Sequence, residues 1–214
     1  MERVYFFGGI PFPALGPSTG RPCQGAAKLS VRILQEELKL SEAGKLFEYS
    51  IKDAEKLLAR FDADKHDPLN GSETLKRAGM IIALAAWETY VKDRFREEID
   101  VWLCSLKGSQ ISNFVLKKVD EDLKRFFNPN YDRTKNLFKT YFDIDITEHW
   151  KWDNYLQPQA KKALNELISK RGEAAHQANT NAYSAHIVKR DDLEKAIRFL
   201  KGLVSATEKV KIAK

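Results

Sequence analysis

Apolar residues through most of the chain recur every three or four positions, the period of a helix with one buried stripe. Between Ser41 and Phe61 they fall at Leu46, Phe47, Ile51, Ala54, Leu57, Leu58 and Phe61, which predicts an amphipathic helix. Residues 62–71, punctuated by Pro68 and Asn70-Gly71, read as a loop, and Ser72 suits the N-cap of a long helix to about Leu106. From Met80 to Val91 that helix is apolar on nearly every face, and it turns amphipathic through Phe95, Ile99 and Trp102. This is the pattern of a helix at the centre of a bundle.

Shorter helices are predicted at about 111–127, closed by Asn128-Pro129-Asn130, and at about 132–142. Residues 143–155, with Trp150 and Trp152, read as a loop. Pro158 sits in the first turn of the next helix, where its missing N–H costs nothing, and that helix runs to about Gln177. Asp191 with Glu194 resembles a capping box opening a last helix to about Val210. No alternating run long enough for a strand occurs, so the fold class is all-α, a bundle of about six helices. Trp87, Trp102 and the phenylalanines are assigned to its core.

The first 25 residues break this pattern, since they hold four of the seven prolines and five of the eleven glycines. Residues 1–30 are therefore read as an irregular extension and 31–214 as one helical domain, the count that 214 residues favour. Pro11, Pro13 and Gly8-Gly9 interrupt the apolar core that a signal peptide needs. No stretch approaches the roughly 20 apolar residues of a membrane span, so no membrane partner is expected. Cys23 and Cys104 lie far apart, with no histidine placed to complete a zinc site, which fits a reducing cytoplasm and predicts neither metal nor cofactor. Thirty-six basic against 30 acidic residues give a net charge of +6, which favours an anionic partner such as RNA.

The candidate chemistry lies in the penultimate helix, where Arg171 precedes His176 by five residues. At about 100° per residue the two diverge by about 140°, so one regular helix does not put them on one face. They serve one site at a frayed helix end, or where two copies meet across a two-fold axis. Histidine, with an ordinary pKa of about 6.5, accepts and releases protons near neutrality, and the arginine fork holds two phosphate oxygens as charge builds on phosphorus. The pair suits phosphodiester cleavage. Glu88, the one carboxylate between Ala78 and Val91, needs a partner if buried; Arg171 is one candidate, and Lys76, Arg77 and Lys92 are the others. Lys170 and Tyr183 are candidate RNA contacts, through phosphate and base respectively, as are Lys161, Lys162, Lys189 and Arg190 through phosphate. His149 and His186 have no metal-ligand company and read as surface or capping residues.

Three pieces in order, Phe47 to Leu58, Ala85-Ala-Trp-Glu-Thr-Tyr-Val91, and Arg171 to His176 before a last amphipathic helix, resemble the HEPN superfamily, in particular its RiboL-PSP-like ribonucleases, across about 41–210. The resemblance implies an up-and-down bundle that forms a homodimer and joins two Arg-x4-His elements in one cleft. It further implies metal-independent cutting of RNA by the ribose 2′-hydroxyl, with His176 as general acid or base and Arg171 as phosphate clamp; Glu88 is a supporting residue on its own burial argument, independent of the resemblance. A toxin or phage-defence role, with an antitoxin partner, is the implied setting. One departure stands out: where the family often has a polar residue after the arginine, this chain has Gly172, which leaves room for a relative that binds without cutting.

Overall fold

The computed structural model describes residues 40–63, 72–153, 155–176 and 187–212, all within one compact unit spanning Leu40–Lys214. The N-terminal extension expected at 1–30, and Tyr183, lie outside the described residues. Among these residues there are six α-helices: α1 (Glu42–Ala63), α2 (Ser72–Trp102), α3 (Gln110–Lys124), α4 (Tyr131–Phe142), α5 (Gln157–His176) and α6 (Arg190–Glu208). Short 3-10 turns occupy Cys104–Leu106 and Ile146–His149. None of the helices is long and apolar enough to cross a membrane.

The expected central helix is the central helix. Met80, Ala83, Leu84, Trp87, Tyr90, Val91, Phe95 and Ile99 of α2 are all buried, and α2 packs against α1, α5 and α6. Polar contacts at the helix ends show that neighbours run in opposite directions. The N–H of Ala43, at the start of α1, donates to Glu97 near the end of α2 at 2.6 Å. Arg77, near the start of α2, reaches the carbonyl of Ala174 near the end of α5. Lys170 near the end of α5 pairs with Asp192 at the start of α6, and Arg190 at that start pairs with Asp62 at the end of α1. This is the up-and-down bundle.

The end of α6 is tied to the start of α1 by one part-buried carboxylate. Glu208 accepts from the Ser41 N–H at 2.7 Å, the Ser41 hydroxyl at 3.0 Å and the Tyr90 hydroxyl at 2.8 Å. Burial first, and then the charge of Glu208, push the Tyr90 phenol well above its ordinary pKa. Three donors on one acceptor group tie this end of the bundle together, with the Arg94 Nε 3.5 Å from the same carboxylate. Close helix approach sets another constraint at Gly202, where any Cβ would overlap the indole nitrogen of Trp152.

Several boundaries and burials differ from the sequence expectation. The second helix ends at Trp102 and gives way to a 3-10 turn, and Trp102 is 50% exposed, not core. Phe114 and Phe127 are 71% and 55% exposed, because α3 stops at Lys124 and buries only Ser112, Val119 and Leu123. The loop before α5 places Trp150 fully in the core, with its indole N–H on the Thr207 hydroxyl at 3.0 Å. The last helix is capped two residues earlier than the expected Asp191, at Lys189, and the acid that closes its first turn is Asp192, which accepts from the Lys189 N–H. Glu194 instead pairs with Arg190 and Arg198.

Candidate nucleic-acid cleavage site

The turn between α3 and α4 is short, proline-containing and tied down at every residue from 127 to 131. Asn128 adopts a left-handed backbone with φ of 50°, a region that asparagine tolerates better than most side chains. Its N–H donates to Glu88 at 3.0 Å. The indole N–H of Trp87, one residue earlier on α2, donates to the Pro129 carbonyl at 2.8 Å. Asn130 caps α4 by accepting from the Arg133 N–H at 2.9 Å, and Arg133 returns its guanidinium to the Phe127 carbonyl. The Tyr131 N–H reaches Asn165 of α5 at 3.3 Å. Trp87 and Glu88 thus dock the turn on the central helix, and Asn165 docks it on α5.

The purpose of that docking is visible at Asn128, whose side-chain oxygen accepts from the guanidinium of Arg171. Glu88 and Arg171 do not meet. The carboxylate pairs with Lys92 at 2.8 Å, one of the alternatives open from sequence, and reaches Arg171 only through Asn128. Of the other candidates for Glu88, Lys76 pairs with Glu73 at 3.4 Å, and Arg77 donates to the Ala174 carbonyl at 2.9 and 2.5 Å. Arg77 therefore caps the last turn of α5, between Arg171 and His176, where a cation also complements the helix dipole.

This arrangement has a chemical consequence. A direct Glu88 pair would offset the charge of Arg171, whereas a neutral amide holds the guanidinium in place and leaves its full positive charge for a ligand. Arg171 is part-buried, and its Nε is enclosed without an acceptor. Such a fork, oriented from one side and cationic, is suited to phosphate oxygens.

His176 lies on the solvent side. The helix remains regular through 176, so the two residues diverge by about 140° and are separated by about 7.5 Å of rise. His176 is exposed while Arg171 turns inward to Asn128. Within one chain they do not form a pair on one face, as the spacing predicted. Gly172 is helical with open space where a Cβ would stand, so nothing in the packing requires glycine there.

Lys170, expected as an RNA contact, is tied to Asp192 at 2.6 Å. Burial raises the Asp192 carboxyl, but hydrogen bonds from Lys170 and the Lys189 backbone outweigh it and hold the group below its ordinary value. Lys170 lines a cavity of about 620 Å³ between α5 and α6, with Glu173, Asp192, Lys195 and Phe199 among its walls. Neither Arg171 nor His176 lines it, and its charges of both signs offset one another. Arg190 is likewise engaged, by Asp62 and Glu194. Lys161 sits 3.4 Å from Asp132 and over the Tyr131 ring, and Lys162 is 3.9 Å from Glu166. Among the described residues no group of three or more histidine, cysteine or carboxylate side chains is placed to hold a metal ion.

Asn128 is a site residue that sequence reasoning missed, and Arg77, offered there only as a partner for Glu88, takes a different role. Asn128 looks like a helix stop, and only its preference for left-handed backbone marked it; Arg77 is one cation among many. A sequence model of the family described as RiboL-PSP-HEPN matches residues 47–210, which includes Glu88, Asn128, Arg171 and His176. No curated protein and no solved structure matches the chain.

Proposed function

The chain belongs to the RiboL-PSP-HEPN family, and on that premise we propose that it is a metal-independent endoribonuclease whose site is completed by a second copy. The observation that carries this reading is the amide-held guanidinium of Arg171, which has no carboxylate partner among the described residues, five residues before an exposed histidine at the end of the same helix. Two such helix ends, brought together by a two-fold axis, supply two arginine forks and two imidazoles to one phosphodiester.

In the proposed reaction the 2′-oxygen attacks the adjacent phosphorus as its proton passes to the imidazole of one His176. The bond from phosphorus to the 5′-oxygen breaks, and that oxygen takes a proton from the other His176. The products are a 2′,3′-cyclic phosphate and a 5′-hydroxyl, and no water is consumed. Arg171 binds the non-bridging oxygens as negative charge grows on them. The setting we propose is a toxin or phage-defence component in the cytoplasm, held in check by an antitoxin.

The test is cleavage of single-stranded RNA by purified protein in excess chelator, with analysis of the ends produced. Cyclic phosphate ends that disappear in both Arg171→Ala and His176→Ala support the mechanism. Cleavage that survives His176→Ala, or that requires added divalent metal, overturns it. Gly172 favours a second reading, a dimeric RNA-binding relative that does not cut, because no polar side chain stands in the open space beside Arg171. Salt-dependent RNA binding with the RNA recovered intact would select that reading.

A further inference from the structure

Phe127 is an aromatic side chain displayed on a backbone that cannot easily withdraw it. Its ring is 55% exposed, yet its carbonyl is held by Arg133 and the next residue by both Glu88 and Arg171. Burial does not account for a phenylalanine so placed, since its neighbour Phe126 is the one that enters the core. The ammonium of Lys92 lies 5.2 Å from the ring centroid, over one face.

The charges around it are arranged for an anion. Asp122 is occupied by Lys118 at 2.8 Å and Tyr141 at 2.7 Å, and the Lys118 and Tyr141 hydrogen bonds hold its carboxyl below its ordinary value. Asp132 is occupied by Lys161. Among the described residues Lys124 and Arg125 have no carboxylate within ion-pair distance, and Arg133 spends its hydrogen bond on a carbonyl. Arg125 and Arg133 share the lining of a shallow cavity of about 300 Å³ with Asn136, Thr140 and the Lys118- and Tyr141-bound carboxylate of Asp122, whose field Arg125 also feels. Lys170 and Arg190, by contrast, are neutralised within the fold.

We propose that Phe127 is a base-stacking platform. An unpaired base beside the phosphate held by Arg171 lies on the exposed face of the ring, and the adjoining phosphates run toward Arg125 and Arg133. The ligand class is single-stranded RNA, since a paired base has no free face to offer. The proposal rests on the ribonuclease reading of the same site, and it moves the RNA contacts from the α5–α6 surface to the turn before α4.

The experiment uses the full chain carrying His176→Ala, so that RNA stays intact, and short single-stranded RNA containing 2-aminopurine. Binding is expected to quench the fluorophore. Phe127→Ala should weaken binding by roughly 5- to 150-fold and remove the quench, while Phe127→Trp keeps both. Arg125→Ala should lower the slope of log affinity against log salt by roughly one. Melting temperatures close to that of the parent show that the variants fold. Affinity and quench unchanged in Phe127→Ala overturn the platform, and cleavage by the unmodified chain then leaves the ribonuclease reading standing. A quench that depends on Phe127 in a protein that never cuts RNA upholds the platform and overturns the ribonuclease. Loss of dimer mass in Phe127→Ala with an unchanged quench makes the ring an interface residue and overturns the platform, as does failure to bind any single-stranded RNA.

Discussion

Arg171 on α5 donates to the side-chain oxygen of Asn128, a residue 43 positions earlier in the chain, in the turn before α4. The left-handed backbone at Asn128 and the hydrogen bond of its N–H to Glu88 aim that oxygen, so a carboxylate on the central helix controls a guanidinium that it does not touch.

Asn128→Gly and Asn128→Ala separate backbone strain from the side-chain contact. Both delete the oxygen that holds Arg171, so both should lower kcat by about tenfold, the value of a hydrogen bond to a charged group of about 1.5 kcal/mol. Only alanine also carries the left-handed penalty, about 1 kcal/mol, and should melt at a lower temperature than glycine. Equal kcat for Asn128→Gly and the unmodified protein would show that Arg171 needs no help from the turn. A Glu88→Ala change made in the Asn128→Ala background should add little further loss of kcat, because its route to Arg171 is already cut; fully additive losses would give Glu88 an independent role.

Gly172 lies in a helix with nothing near its missing Cβ. Gly172→Ala should therefore raise the free energy of unfolding by about 0.5 to 1 kcal/mol in denaturant titrations. Gly172→Asn places a polar side chain in that open space beside Arg171 and should raise cleavage without unfolding the chain. A drop in stability for alanine would reveal a contact made only in the dimer.

The Lys170 and Asp192 pair is a pH-dependent clasp between α5 and α6. Since the Asp192 carboxyl titrates below its ordinary 3.8 in the folded chain, the pair stabilises the fold above that pH and its contribution fades as pH falls through the lowered value. Lys170→Ala should cost about 1 kcal/mol or less at pH 7, and less as pH falls through the lowered Asp192 value, read from denaturation midpoints. RNA affinity should change little. A large loss of affinity at neutral pH would restore Lys170 as a nucleic-acid contact.

Glu208 closes the bundle by accepting from Ser41 and Tyr90 while its side chain is only 10% exposed. Glu208→Ala leaves those donors without an acceptor and should cost about 2 to 4 kcal/mol, which lowers the melting temperature by roughly 5 to 15 °C in a domain of this size. Tyr90→Phe removes one donor and its partner bond together and should cost less.

The sequence by itself determined the helices and their ranking. Helical period is a local property, so the stripe from Leu46 to Phe61 and the apolar run of Met80 to Val91 marked α1 and the central helix without reference to any partner. The five-residue spacing likewise foretold that Arg171 and His176 would diverge, because helical geometry fixes that angle. Tertiary structure decided what those residues touch. Lys92 and the Asn128 N–H, not Arg171, took the carboxylate of Glu88; Asn128 took Arg171; Asp192 took Lys170. The exposure of Phe127 and Trp102 was also hidden, since an apolar residue near a helix end reads the same whether a neighbouring helix covers it or not. Pairing across 22 to 43 residues depends on which helix ends come together, and periodicity along one helix contains no information about that.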